Sequence, residues 1–114
     1  MATRYYLTLP DAGQARGDDP ALAFHAQGAE GLAQELQDAL REDSLFQRWR
    51  ATQDDPDAVD PALGATDPGA TVTGQQRDLQ VDLVATTSIP GTVFKQRLRL
   101  LAGHGWKLTD VRAA

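Results

Sequence analysis

No cysteine occurs among the 114 residues of the chain. That excludes a disulfide framework, a thiol nucleophile and any cysteine-held zinc or iron–sulfur centre. Two histidines, two serines and one methionine leave little of the usual catalytic vocabulary. No run approaches the roughly 18 consecutive apolar residues of a membrane span, and polar residues break up Met1 to Pro10, so no apolar signal-peptide core is read there. A cytoplasmic chain without a membrane partner is therefore expected. The glycines form neither G-x-G-x-x-G after a strand nor a P-loop with its lysine, no histidine pair has ligand spacing, and Ser44 and Ser88 lie outside any G-x-S-x-G. The expectation is no catalytic residue, no metal, no cofactor and no enzyme activity.

What is present suits one domain, since a domain takes roughly 100 to 200 residues, and 41% hydrophobic with 24% charged residues is an ordinary globular composition. The net charge of −5 becomes informative once it is localised. Residues 53 to 68 hold Asp54, Asp55, Asp57, Asp60 and Asp67 with no basic residue, so that segment alone carries −5. Pro56, Pro61 and Pro68 interrupt any regular element there, and the like charges repel, so a mobile acidic connection is expected. A calcium loop is not, because counting from Asp54 the sixth position is Val59 and the twelfth Ala65, where glycine and glutamate are required.

Along the chain, Tyr5, Leu7 and Leu9 alternate with Tyr6 and Thr8, the signature of a half-buried strand. Turn formers fill 10–20, and Leu22, Phe24 and Ala26 suggest a second short strand over 21–26. Ala29, Leu32, Ala33, Leu36, Ala39 and Leu40 recur at helical spacing behind Gly28. Ser44-Leu45-Phe46-Gln47 reads as a capping box opening a helix over 45–51. Val72-Thr73 reads as a short strand, Gly74-Gln75-Gln76 as a turn, and 78–87 as a strand. Residues 92–102 fit strand or helix; helix is preferred because the composition favours it and Gly103 and Gly105 supply a stop. A closing strand over 106–112 follows, with Val111 out of phase, at a bulge or beyond the buried part. The expected fold is a single α+β domain, a two-layer sandwich with helices on one face of a four- or five-stranded, mostly antiparallel or mixed sheet, and ferredoxin-like topology as its leading specific form.

Residues 79–112, with Pro90-Gly91 after a strand and Gly103-His104-Gly105 before the next, resemble half of an ACT-type ligand-binding domain. The resemblance covers under a third of the chain and implies a regulatory domain binding a small metabolite, which is the alternative functional reading.

Two groups of residues are candidates for contact. Lys95, Arg97, Arg99, Lys107 and Arg112 face only Asp110 in their segment, a local +4 against −9 over residues 1–94. Such a basic patch could meet nucleic acid with Trp106 as a stacking platform, but no nucleic-acid signature accompanies it and nucleic acid is not the expected partner. Leu45, Phe46 and Trp49, flanked by Arg48 and Arg50, make the other group, fit either for the protein's own core or for a partner's groove. His104 and His25 read as solvent-facing rather than as bases or ligands. The primary expectation is a small non-catalytic module that binds a protein, a second copy of itself included.

Overall fold

The first strand, β1 (Thr3–Leu9), buries Tyr5, Leu7 and Leu9 and leaves Tyr6 and Thr8 half-buried, as its alternation requires of a strand covered on one side. The computed structural model describes residues 2–114. Three further strands, β2 (Thr71–Arg77), β3 (Gln80–Thr87) and β4 (Lys107–Ala113), join β1 in one antiparallel sheet of order β2-β3-β1-β4. Helices α1 (Ala29–Arg41), α2 (Ser44–Arg50) and α3 (Gly91–Ala102) complete the regular structure. β1 and β2 flank β3 and are linked through α1; β3 and β4 flank β1 and are linked through α3. Each linked pair is thus parallel, which is the ferredoxin-like β-α-β-β-α-β arrangement, with α2 and the acidic segment inserted between α1 and β2. Among the described residues no helix is long and apolar enough to cross a membrane.

The apolar periodicity of α1 is realised in full, with Ala29, Leu32, Ala33, Leu36, Ala39 and Leu40 all buried. On α3 the buried stripe is Val93, Phe94, Arg97, Leu98, Leu101 and Ala102. Phe94 stacks on Tyr5 with centroids 4.2 Å apart and planes at 13°, and the Tyr5 hydroxyl donates to the Ile89 carbonyl at 3.2 Å.

Three details of the sequence reading need correction. Residues 21–26 form no strand. Leu22, Ala23 and Phe24 are buried in succession, and the segment hangs from α3 through the Phe24 N–H on the Leu101 carbonyl at 2.9 Å, with no strand to pair with. Gly74 is not a turn but the middle of β2. There α1 approaches so closely that a Cβ would lie 2.6 Å from the Ala29 carbonyl oxygen, a close backbone contact that favours glycine. The turn falls at Asp78-Leu79 instead, with Asp78 at φ 55°. Ser44 caps nothing, since Asp43 is the N-cap of α2 without a side-chain cap bond, and Gln47 reaches back to the Asp43 carboxylate at 3.3 Å. The phase slip at Val111 is, by contrast, the bulge that the sequence offered as one of two explanations: Tyr6 pairs with Asp110 and Leu7 with Leu108, leaving Thr109 as the extra residue. Leu108 and Val111, three apart, therefore share the helix-facing side with Leu7 and Tyr5.

Candidate interaction surfaces

The apolar side of α2 is occupied from within. Phe46 lies under the acidic segment, so close to Gly64 that a Cβ there would sit 2.9 Å from the ring. Arg48 donates to the Ala21 carbonyl at 3.1 Å, and Arg50 donates to the Pro56 carbonyl at 2.8 Å and meets Asp57 at 3.3 Å. Trp49 remains half-buried, tilted at 45° against Phe46 with centroids 6.1 Å apart. Trp49→Ala is accordingly expected to lower unfolding stability by about 2 kcal/mol, below the 3–5 kcal/mol of a fully buried aromatic. Chemical denaturation checks this, and an unchanged midpoint would leave Trp49 without a packing role.

The five basic residues near the C-terminus do not form one patch. Lys95 and Arg99 are exposed on α3 in the helical layer, whereas Lys107 and Arg112 pair with Thr8 and Arg4 across the sheet, on its uncovered side. Arg97 is no surface residue: it is 0% exposed. Its guanidinium donates to the Ala39 carbonyl at 2.7 Å, to the Leu63 carbonyl at 3.1 Å and to the Ala65 carbonyl. The physical cause is the end of α1, whose last carbonyls have no helical partner. Arg97 takes that of Ala39, the Asp67 N–H takes that of Leu40 at 2.8 Å, and a cation there also meets the negative end of the helix dipole. Burial lowers the pKa of Arg97 and the Asp43 charge raises it, in that order of size; an arginine stays charged regardless.

The acidic segment holds two short 3₁₀ turns, Pro56–Ala58 and Pro61–Gly64. Its aspartates are not equivalent. The Asp67 carboxylate accepts from the Ser88 N–H and the Thr87 hydroxyl, both at 2.9 Å, and from the Gly69 N–H at 3.0 Å, bracketing the segment to the turn before α3. The Ser88 amide is the largest of the influences that hold the Asp67 pKa below 3.8. A carboxylate depressed in the folded state stabilises fully above its unfolded pKa of about 3.9, and this contribution is lost as the pH falls through the lower folded value. Asp82, lowered chiefly by the Thr8 hydroxyl, acts in the same sense. Asp67→Asn is expected to cost about 1–2 kcal/mol at pH 7, with the difference from the parent shrinking below about pH 4. Urea midpoints across pH 2.5–7 measure it, and a difference independent of pH would show that the charge is irrelevant.

The face of the sheet away from the helices carries Arg4, Tyr6 and Thr8 of β1 and Gln80, Asp82, Val84 and Thr86 of β3. Several of its polar groups pair with one another. Asp82 accepts from Thr8 at 2.6 Å and Gln80 at 3.0 Å and pairs with Arg77 at 2.7 Å, and the Arg112 guanidinium lies over the Tyr6 ring at 5.6 Å.

The two sheet edges differ. Along β2, the Gln37 side chain accepts the Val72 N–H at 3.1 Å, Gln76 crosses to the Ala29 N–H at 3.1 Å, and α1 abuts Gly74. Along β4, extended contact is with β1 alone. The ladder continues to the Ala114 N–H on the Ala2 carbonyl at 3.2 Å, so Arg112 and Ala114 turn their backbone groups toward β1. Those of Val111 and Ala113 then face outward. The Val111 N–H is met only by the Asp110 carboxylate, at 2.9 Å, which also holds Arg112 at 2.7 Å. Val111 is 49% exposed, one of two large hydrophobics on the surface among the described residues; the other, Leu79, is at the β2–β3 turn. The sequence signal for this edge was the phase slip at Val111, which marks a bulged, half-covered strand.

His25 lies 3.4 Å from Glu35 and is exposed, and His104 is exposed in the turn after α3. The glycines around His104 are explained by packing: a Cβ on Gly105 would meet Ala15 at 2.8 Å, and one on Gly103 would meet the Arg16 carbonyl oxygen at 2.6 Å. Among the described residues no three potential ligands cluster as a metal site. Comparison with known proteins finds no matching family model, no matching curated protein and no matching solved structure.

Proposed function

We propose that the chain is a small non-catalytic module that binds a protein by accepting an extended strand along the outer edge of β4. One observation carries this reading: α1 packs along β2 and Gln37 takes its Val72 N–H, whereas β4 has extended contact with β1 alone and turns the backbone of Val111 and Ala113 outward beside an exposed valine. An unpaired edge is a template for strand addition, in which main-chain hydrogen bonds give affinity and alternate side chains give specificity. The α2 group fits this role less well, because its arginines and Phe46 are already engaged within the chain.

Proteins retained from lysate on the immobilised chain, identified and then purified, provide the test through amide exchange on the reconstituted pair. Slowed exchange at Val111 and Ala113, with α2 unchanged, is the expected result. Val111→Pro should abolish the binding, since it removes an outward N–H and no hydrogen bond to β1. Protection over α2 or around Tyr6 with β4 untouched would overturn the reading, as would a chain that retains no protein and also stays monomeric.

A further inference from the structure

Resting on the reading of β4 as a strand acceptor, we infer that the strand it accepts is β4 of a second copy, paired antiparallel about a two-fold axis through Val111. The argument is one of register. Outward backbone groups sit on Val111 and Ala113 and inward ones on Arg112 and Ala114, so the parity of an antiparallel ladder admits symmetric pairings centred on positions such as 110, 111 or 112. A centre at Asp110 sets aspartate against aspartate, and one at Arg112 sets arginine against arginine. Like charges directly opposite destabilise a pair of strands. A centre at Val111 alone among these sets each Asp110 opposite an Arg112 of the second copy.

In that register the four charges form a square of alternating sign on the uncovered side of the sheet, because Asp110 already holds Arg112 of its own chain at 2.7 Å. On the helix-facing side the two Val111 side chains meet and cover each other. The Val111 N–H and carbonyl exchange hydrogen bonds across the axis, and Asp110 gives up its present hold on that N–H. The two four-stranded sheets become one of eight strands, and β4 ceases to be an edge. A contact of one short strand and a pair of valines belongs with the small, transient interfaces, so the association is weak.

Sedimentation of the purified full chain from about 1 μM to 1 mM tests this across the range of weak complexes. A reversible dimer is expected. Asp110→Arg and Arg112→Asp should each weaken it by about tenfold or more. The first chain then presents two positive charges and the second two negative ones, so an equimolar mixture should recover the parental dimer. Intrachain pairing of Asp110 with Arg112 cannot produce that recovery. Val111→Pro should leave a folded monomer, with far-ultraviolet circular dichroism confirming the fold. A parental chain monomeric through 1 mM, a dimer indifferent to Val111→Pro, or a mixture that fails to recover would each overturn self-pairing. Should another protein still protect Val111 and Ala113, the strand-acceptor reading would stand without it.

Discussion

Replacing Arg97 with alanine is expected to lower unfolding stability by about 3–5 kcal/mol, the loss of three charge-assisted hydrogen bonds worth about 1.5–3 kcal/mol each, less what relaxation recovers. The substitution strands the buried Ala39 carbonyl and the part-buried carbonyls of Leu63 and Ala65, and leaves a cavity where the 0% exposed side chain lay. Each buried carbonyl left without a donor costs about 1–3 kcal/mol, tempered where the structure relaxes or admits water. Arg97→Lys should rescue only part of this, because a single ammonium on a flexible stem cannot reproduce a planar fork reaching α1 and the inserted segment together. Urea denaturation of the three proteins measures the order, and a lysine variant as stable as the parent would show that charge alone suffices. The same variants should speed proteolysis of residues 61–67, since Leu63 and Ala65 lose their tie to α3.

Gly17→Ala is expected to cost about 3 kcal/mol, at the upper end for overpacking. A Cβ at this position would lie 2.1 Å from the Leu100 carbonyl oxygen and 3.0 Å from its carbonyl carbon. The obstruction is backbone on both sides, so no side chain can swing away. The Gly17 N–H is also bound to the Leu101 carbonyl at 3.1 Å, and pushing the strands of chain apart breaks that bond as well. Gly103, opposite, is at φ 62°, ψ −120°, where a side chain is strained whatever the space. The two glycines serve one crossing, so Gly17→Ala and Gly103→Ala should combine to less than their sum. Thermal unfolding of the single and double variants reads this directly, and full additivity would separate the two sites.

Periodicity in the sequence was a sound guide wherever an element is covered on one side only. The stripes of α1 and the alternations of β1 and β3 appear in the structure because burial on one face is what created them. It misled where the contact is with backbone. Leu22, Phe24 and Ala26 alternate as a strand would, yet the segment is tethered by one bond to the end of α3 and by others to the Glu35 carboxylate of α1, and no local pattern encodes such partners. Gly74 looks like punctuation because glycine usually bends a chain, whereas here its missing Cβ admits α1. Arg97 was legible in principle: it follows Val93 and Phe94 by one turn and precedes Leu101 by another, inside the buried stripe. Counting it with the neighbouring lysine and arginines by charge concealed its place on the helix. The edge at β4 depends on which strand lies beside which, and strand order is a property of the closed sheet that no single segment carries.

The strand order also sets a timetable for the growing polypeptide. β1 is made first, yet both of its neighbours come from the last third, since Thr3 pairs with Thr87 on one side and with Ala113 on the other. During synthesis Tyr5, Leu7 and Leu9 must wait through about eighty residues before either flank exists, and α1 and α2 emerge into solution with no sheet to cover. Closure over such sequence separations is slow compared with local pairing. The apolar side of β1 therefore stays without either neighbouring strand until β3 has been made.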